Sequence, residues 1–150
     1  MQLSVDHVDF KGTHPSLIGQ VCTGFAVQHF YAGVTLVDQA NVVFLRFGHE
    51  WHRICFETAT VFWRSGLEPE SLVNSTLDHG LLLNDLTGFP GVVGHALESI
   101  TYAGTVQGDV TVEFSFSGGG GFSLRYDNGA DATVFAPNNS LKRTDQSLRD

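Results

Sequence analysis

The chain has 150 residues and a formal net charge of −8, with 42% hydrophobic and only 16% charged residues. That length suits one domain with its own core, and the low charged fraction separates it from disordered acidic chains. Up to Ala136 the cations are Lys11, Arg46, Arg53, Arg64 and Arg125; no basic patch results, so nucleic acid and an anionic membrane are not expected as partners.

Gly 17 and Phe 12, against few Lys, Arg and Met, point to strands and turns. Cys22 and Cys55 sit in strand-like runs without C-x-x-C spacing and read as small buried hydrophobes. No basic-then-apolar leader opens the chain, and no apolar run approaches membrane-spanning length. The expectation is a cytoplasmic protein with reduced thiols.

Taken in chain order, Met1 to Phe10 alternates weakly and reads as an edge strand. Thr13 to Gly19 combines a cap residue, an early proline and a closing glycine, as in a one-turn helix or structured loop. Val21 to Tyr31 alternates well, with Gly24 marking a bulge, and Ala32-Gly33 turns the chain into Val34 to Val37.

Val42 to Arg64 is the stretch around which the rest is arranged. Val42, Phe44 and Arg46 share one face; Val43, Leu45 and Phe47 share the other. Both faces are largely apolar, as in a central strand buried on two sides. Gly48-His49-Glu50 makes a hairpin connection. On the return run Trp51, Arg53, Cys55 and Glu57 point one way, and His52, Ile54 and Phe56 the other. Val61, Phe62 and Trp63 form a third short apolar run.

Ser65 to Gly80 carries helix signals: Pro69 flanked by Glu68 and Glu70, a short stripe of Leu72, Val73 and Leu77, then His79 and Gly80. This predicts one main helix over about 69–79. Leu81 to Leu83 is a buried strand or loop, and Asn84 to Gly91 a turn region. Ala96–Ala103, Asp109–Phe116, Phe122–Asp127 and Ala132–Phe135 are strands. The Ser117 to Gly121 tip between two of them lacks the Lys-Ser/Thr of a phosphate loop and is followed by a strand.

The halves resemble each other. Pro15-Ser16-Leu17-Ile18-Gly19 matches Pro90-Gly91-Val92-Val93-Gly94, and similar runs of strands follow each. The predicted class is therefore α+β, mostly antiparallel β: about eight strands in curved sheets, one main helix, and a pseudo-twofold repeat with a cleft between its halves. One globular domain covers 1–136, and a polar tail, 137–150, is too poor in apolar residues to fold.

Within that tail, Asn138-Asn139-Ser140-Leu141-Lys142-Arg143-Thr144, and on to Arg149, resembles the C-terminal tails of proteins encoded by integron gene cassettes. In such tails the reading frame runs into the recombination site of the cassette. The resemblance implies a mobile bacterial gene context and no particular activity.

No catalytic constellation stands out. His49-Glu50-Trp51-His52 is not the H-E-x-x-H zinc motif, and on a strand the two histidines point to opposite faces. No metal and no cofactor is expected. His49, Trp51, His52, Arg53, Trp63 and Arg64 are the ligand or interface candidates, because arginine with aromatic side chains favours pockets and interfaces. Three roles follow: a non-catalytic small-molecule-binding or accessory module; an acidic protein-interaction module, immunity- or antitoxin-like, for a basic protein; and an enzyme of unknown type. The last predicts that two or more of His49, His52, His79, Glu50 and Asp78 converge in a cleft. Exposed sheet edges make a homodimer the expected state.

Overall fold

The computed structural model describes residues 5–12, 16–69, 74–75 and 79–138. The strands are β1 (Asp9–Gly12), β2 (Cys22–Ala32), β3 (Thr35–Phe47), β4 (Glu50–Glu57), β5 (Thr60–Ser65), β6 (Asn74–Ser75), β7 (His79–Asp85), β8 (Leu97–Gly104), β9 (Val110–Phe116), β10 (Gly121–Asp127) and β11 (Ala132–Pro137). They form a seven-stranded sheet in the order β1-β5-β4-β3-β2-β7-β6 and a four-stranded sheet in the order β11-β10-β9-β8.

The α+β expectation is overturned: among the described residues there is no helix, and the class is all-β. Where the helix was expected, Asn74 and Ser75 pair with Leu81 and Gly80. From His79 the chain runs antiparallel along β2, with Leu81 opposite Phe30 and Leu83 opposite Gln28. Residues 70–73 and 76–78 of the expected helix lie outside the described residues. The physical reason is twofold. Ser71, Val73, Asn74, Ser75 and Thr76 are weak helix formers, and three apolar residues make too narrow a stripe to outweigh them. Meanwhile β2 has a second side of unpaired backbone groups, which the Leu81–Leu83 run satisfies.

The sheets are mostly antiparallel, as expected, but at one edge β1 runs parallel to β5, a pairing that nothing in the sequence suggested, with Phe10 opposite Val61 and Lys11 opposite Phe62. Phe10 turns inward and meets the ring of Tyr102 edge-on at 4.8 Å.

Each half of the chain contributes four consecutive antiparallel strands, β2–β5 and β8–β11. The segments that precede them meet. Gly19 N donates to Leu97 O, and Gly94 N donates to Cys22 O, both at 2.8 Å. Leu97 N donates to Gln20 O at 2.9 Å, and Cys22 N to His95 O at 3.0 Å. Leu17 and Val92, at matching positions of these segments, are both buried. The glycine-rich tip is a fitted contact as well: a Cβ on Gly120 would meet the Cα of Gly91 at 2.6 Å.

Among the described residues, no cleft separates the halves. Alternation sends Phe25, Val43, Leu45, Ile54, Val61 and Trp63 of the large sheet towards Val112, Phe114, Phe122 and Leu124 of the small one, and all are buried. Phe25 stacks on Phe122 at 4.6 Å and Phe114 on Phe122 at 4.7 Å. Rings at van der Waals separation leave no room for a ligand there.

The far end of β3 runs on past β4, still paired with β2, and ties the large sheet to the edge of the small one. Asp38 Oδ1 accepts from the Thr133 amide at 2.8 Å and from the Ala40 amide at 3.3 Å. Gln39 Oε1 accepts from the Phe135 amide at 3.0 Å. The outer edge of β11 is thus partly covered by side chains rather than by another strand. At the chain's described end, Asn138 N donates to Gly121 O at 3.1 Å and its Nδ2 to Phe114 O at 2.8 Å.

Candidate functional site

The outer face of the large sheet differs from its core face in chemistry. Its floor is Ala26, Val42 and Phe44, all buried, with Trp51, Cys55 and Leu83 packed against them. Alternation along β4 places Trp51, Arg53, Cys55 and Glu57 on this face, and pairing with β5 brings Arg64 opposite Arg53 and Phe62 opposite Cys55. Lys11 on β1 is opposite Phe62. Three of the chain's eight Lys and Arg lie beyond the described residues; of the other five, Lys11, Arg46, Arg53 and Arg64 stand on this one face.

The guanidinium of Arg46 lies over the Trp51 ring at 5.4 Å, and that of Arg53 over the Phe44 ring at 5.5 Å. Such contacts hold a cation in place without neutralising it. Arg46 is further fixed, donating from Nε to Thr23 Oγ1 at 3.0 Å and from Nη2 to Thr23 O at 2.9 Å. Gly24 makes room for this arrangement: a Cβ there would meet Trp51 Cη2 at 2.7 Å. The guanidinium groups of Arg53 and Arg64, by contrast, have no hydrogen-bond or carboxylate partner among the described residues.

Arg53, Cys55, Glu57, Phe62 and Arg64 line a hollow of ≈ 310 Å³. Burial pushes the Cys55 thiol up, an effect that Arg53 and Arg64 oppose and Glu57 reinforces. The thiol is therefore neutral near pH 7, a contact surface rather than a nucleophile. A second, more open hollow of ≈ 590 Å³ adjoins Arg46, His49, Glu50, Trp51, Gly66 and Glu68.

The structure divides the six residues singled out from sequence. Trp51, Arg53 and Arg64 share the outer face. His49 is exposed in the Gly48-His49 turn. His52 and Trp63 are in the core, where Trp63 Nε1 donates to His52 Nδ1 at 3.1 Å. Burial lowers the pKa of His52, against the weaker pull of Glu50, whose Oε1 lies 3.9 Å from Nε2. Of the five residues among which an enzyme was expected to bring two or more together in a cleft, His49 and Glu50 line the second hollow, whereas His52 is buried in the core. Asp78, and the side chain of His79, lie outside the described residues. Among the described residues, no three His, Cys, Asp or Glu are grouped to hold a metal ion. No described helix is long and apolar enough to cross a membrane.

Sequence reasoning did not single out Phe44, Cys55, Glu57 or Phe62. The signal was available for Cys55 and Glu57, which alternate with Arg53. Phe62 required the β4–β5 register, since Trp63 in the same apolar run faces the core. Compared with family models, curated proteins and solved structures, the chain matches none.

Proposed function

We propose that the protein is a non-catalytic small-molecule-binding module whose site is the outer face of the seven-stranded sheet. One observation carries this reading. Two arginines without a carboxylate partner among the described residues adjoin half-buried aromatic and thiol side chains in a hollow of ≈ 310 Å³. That volume is at the small end of the range for ligand pockets, which combine apolar walls with a few convergent polar groups. The space between the sheets, where a ligand was first expected, is filled by side chains, so the outer face takes its place. The neutral thiol and the separation of His49 from His52 favour binding over acid–base chemistry.

A thermal-shift panel of small organic acids, amines and neutral aromatic compounds tests the reading. At least one class should raise the melting temperature in a concentration-dependent way. A panel with no stabilising compound of any class contradicts it.

A second reading is favoured by a different observation. At the β2–β3 tip Val34 is 97% exposed, Leu36 44% and Val37 43%. Adjacent exposed apolar side chains of this kind mark contact surfaces. Self-association through that tip would give the expected homodimer. Sedimentation of the wild type beside Leu36→Lys tests it: a dimer that Leu36→Lys dissociates supports it, and a wild-type monomer opposes it.

A further inference from the structure

We propose that Arg53 and Arg64 together bind the carboxylate of a small organic acid carrying one negative charge, whose apolar body rests on Phe62 and Cys55. This rests on the outer-face reading above and names the ligand class for that site.

The register is the starting point. Arg53 and Arg64 are directly opposite on adjacent antiparallel strands. Side chains so placed stand about 5 Å apart at Cβ, and like charges there repel. Yet neither guanidinium is neutralised by a described carboxylate, in a chain that carries 16 Asp and Glu against 8 Lys and Arg. An oxyanion between them removes the repulsion and accepts from two guanidinium forks, an arrangement matched to a planar carboxylate. Arg53 is held for this purpose, because its guanidinium lies over the Phe44 ring at 5.5 Å. The ring face is thereby occupied, so the surface presents N–H donors rather than a stacking platform for nucleobases.

Glu57 sets the charge of the ligand. It lines the same hollow, so two cations and one carboxylate leave one uncompensated positive charge there. A second negative charge on the ligand, as in a phosphate monoester, meets Glu57. Cys55 and Phe62, opposite each other in the next row, form the apolar wall against which a hydrocarbon or aryl body fits.

Isothermal titration of the full chain with 3-phenylpropanoate, its neutral amide and 2-phenylethyl phosphate tests the proposal. The acid should bind, and the amide and the phosphate should each bind at least tenfold more weakly. R53Q and R64Q should each weaken the acid at least tenfold, whereas R125Q, on β10 of the other sheet, should leave it unchanged. If the amide or the phosphate binds as tightly as the acid, or if R53Q and R64Q bind it normally, the clamp is overturned while the outer face stands as a ligand site. If the acid does not bind, the clamp is overturned; if no class in the thermal-shift panel stabilises the protein either, the outer-face reading falls with it.

Discussion

The indole Nε1 of Trp63 donates to Nδ1 of His52 across neighbouring strands at 3.1 Å, with both side chains buried in the core. This bond assigns the tautomer: Nδ1 accepts, so Nε2 carries the proton. Nε2 has no hydrogen-bond partner among the described residues, which makes the imidazolium form costly here.

A pH dependence follows. The folded pKa of His52 is lowered by burial, so the unfolded chain binds the proton more readily. Stability contributed by the neutral ring is present above the ordinary histidine value of about 6.5 and is lost as pH falls below it towards the folded value. For one group the slope is at most about 1.4 kcal/mol per pH unit. Urea unfolding of the wild type should weaken from pH 7 to pH 5, and His52→Phe should weaken less over that interval. Identical slopes would count against the assignment.

Asp38 is the second buried ionisable group whose chemistry is legible from its bonds. Its Oδ1 serves the amides of Thr133 and Ala40, and burial raises its pKa. Asp38→Ala leaves two backbone donors without their acceptor, at about 1–3 kcal/mol each. Asp38→Asn keeps an acceptor oxygen and removes the buried charge. Chemical denaturation should therefore show a loss of roughly 2–5 kcal/mol for Asp38→Ala and less than about 1.5 kcal/mol for Asp38→Asn. Equal losses would mean that the charge, rather than the two bonds, matters.

Gly24 is required by a neighbour's ring rather than by its own backbone. A methyl group there meets Trp51 Cη2 at 2.7 Å and Arg46 Cβ at 3.1 Å. Gly24→Ala should cost about 1–3 kcal/mol through overpacking and displace the indole from Arg46. In a Trp63→Phe background, the Trp51 fluorescence maximum should shift with Gly24→Ala. An unmoved maximum would show that the strand gives way and the ring does not.

The Arg53–Arg64 pair makes a prediction that needs no ligand. Arg64 is exposed and has no partner that its loss would strand among the described residues. Arg64→Gln should raise the melting temperature at low ionic strength, and the gain should shrink with added salt as the repulsion is screened. A fall in melting temperature at low salt would contradict an uncompensated pair.

Much of the sheet could be read from alternation. The two faces of Val42–Phe47 and of Trp51–Glu57 follow from period two, and both appear in the structure as the core face and the outer face. The helix over about 69–79 failed because capping chemistry at Pro69 and Gly80 is local, whereas the partner of Leu81–Leu83 is β2, far away in sequence. The parallel pairing of β1 with β5 was hidden for the same reason: a four-residue edge strand carries no mark of its neighbour. The candidate site was half legible. Trp51 and Arg53 share parity within one strand, and alternation alone separates Trp63 from Arg64, but which of those two faces the core depended on the β4–β5 register. Trp51 and Trp63, considered together as residues, lie on opposite faces.

That separation supplies the most direct test of the ligand face, because the two indoles report on different sides of one sheet. In ¹⁵N-labelled protein titrated with 3-phenylpropanoate, the Trp51 indole and the Arg53 and Arg64 Nε–H resonances should shift progressively, while the Trp63 indole stays in place. Shifts centred on Trp63, or on Val34, Leu36 and Val37 at the β2–β3 tip, would contradict a site on the outer face.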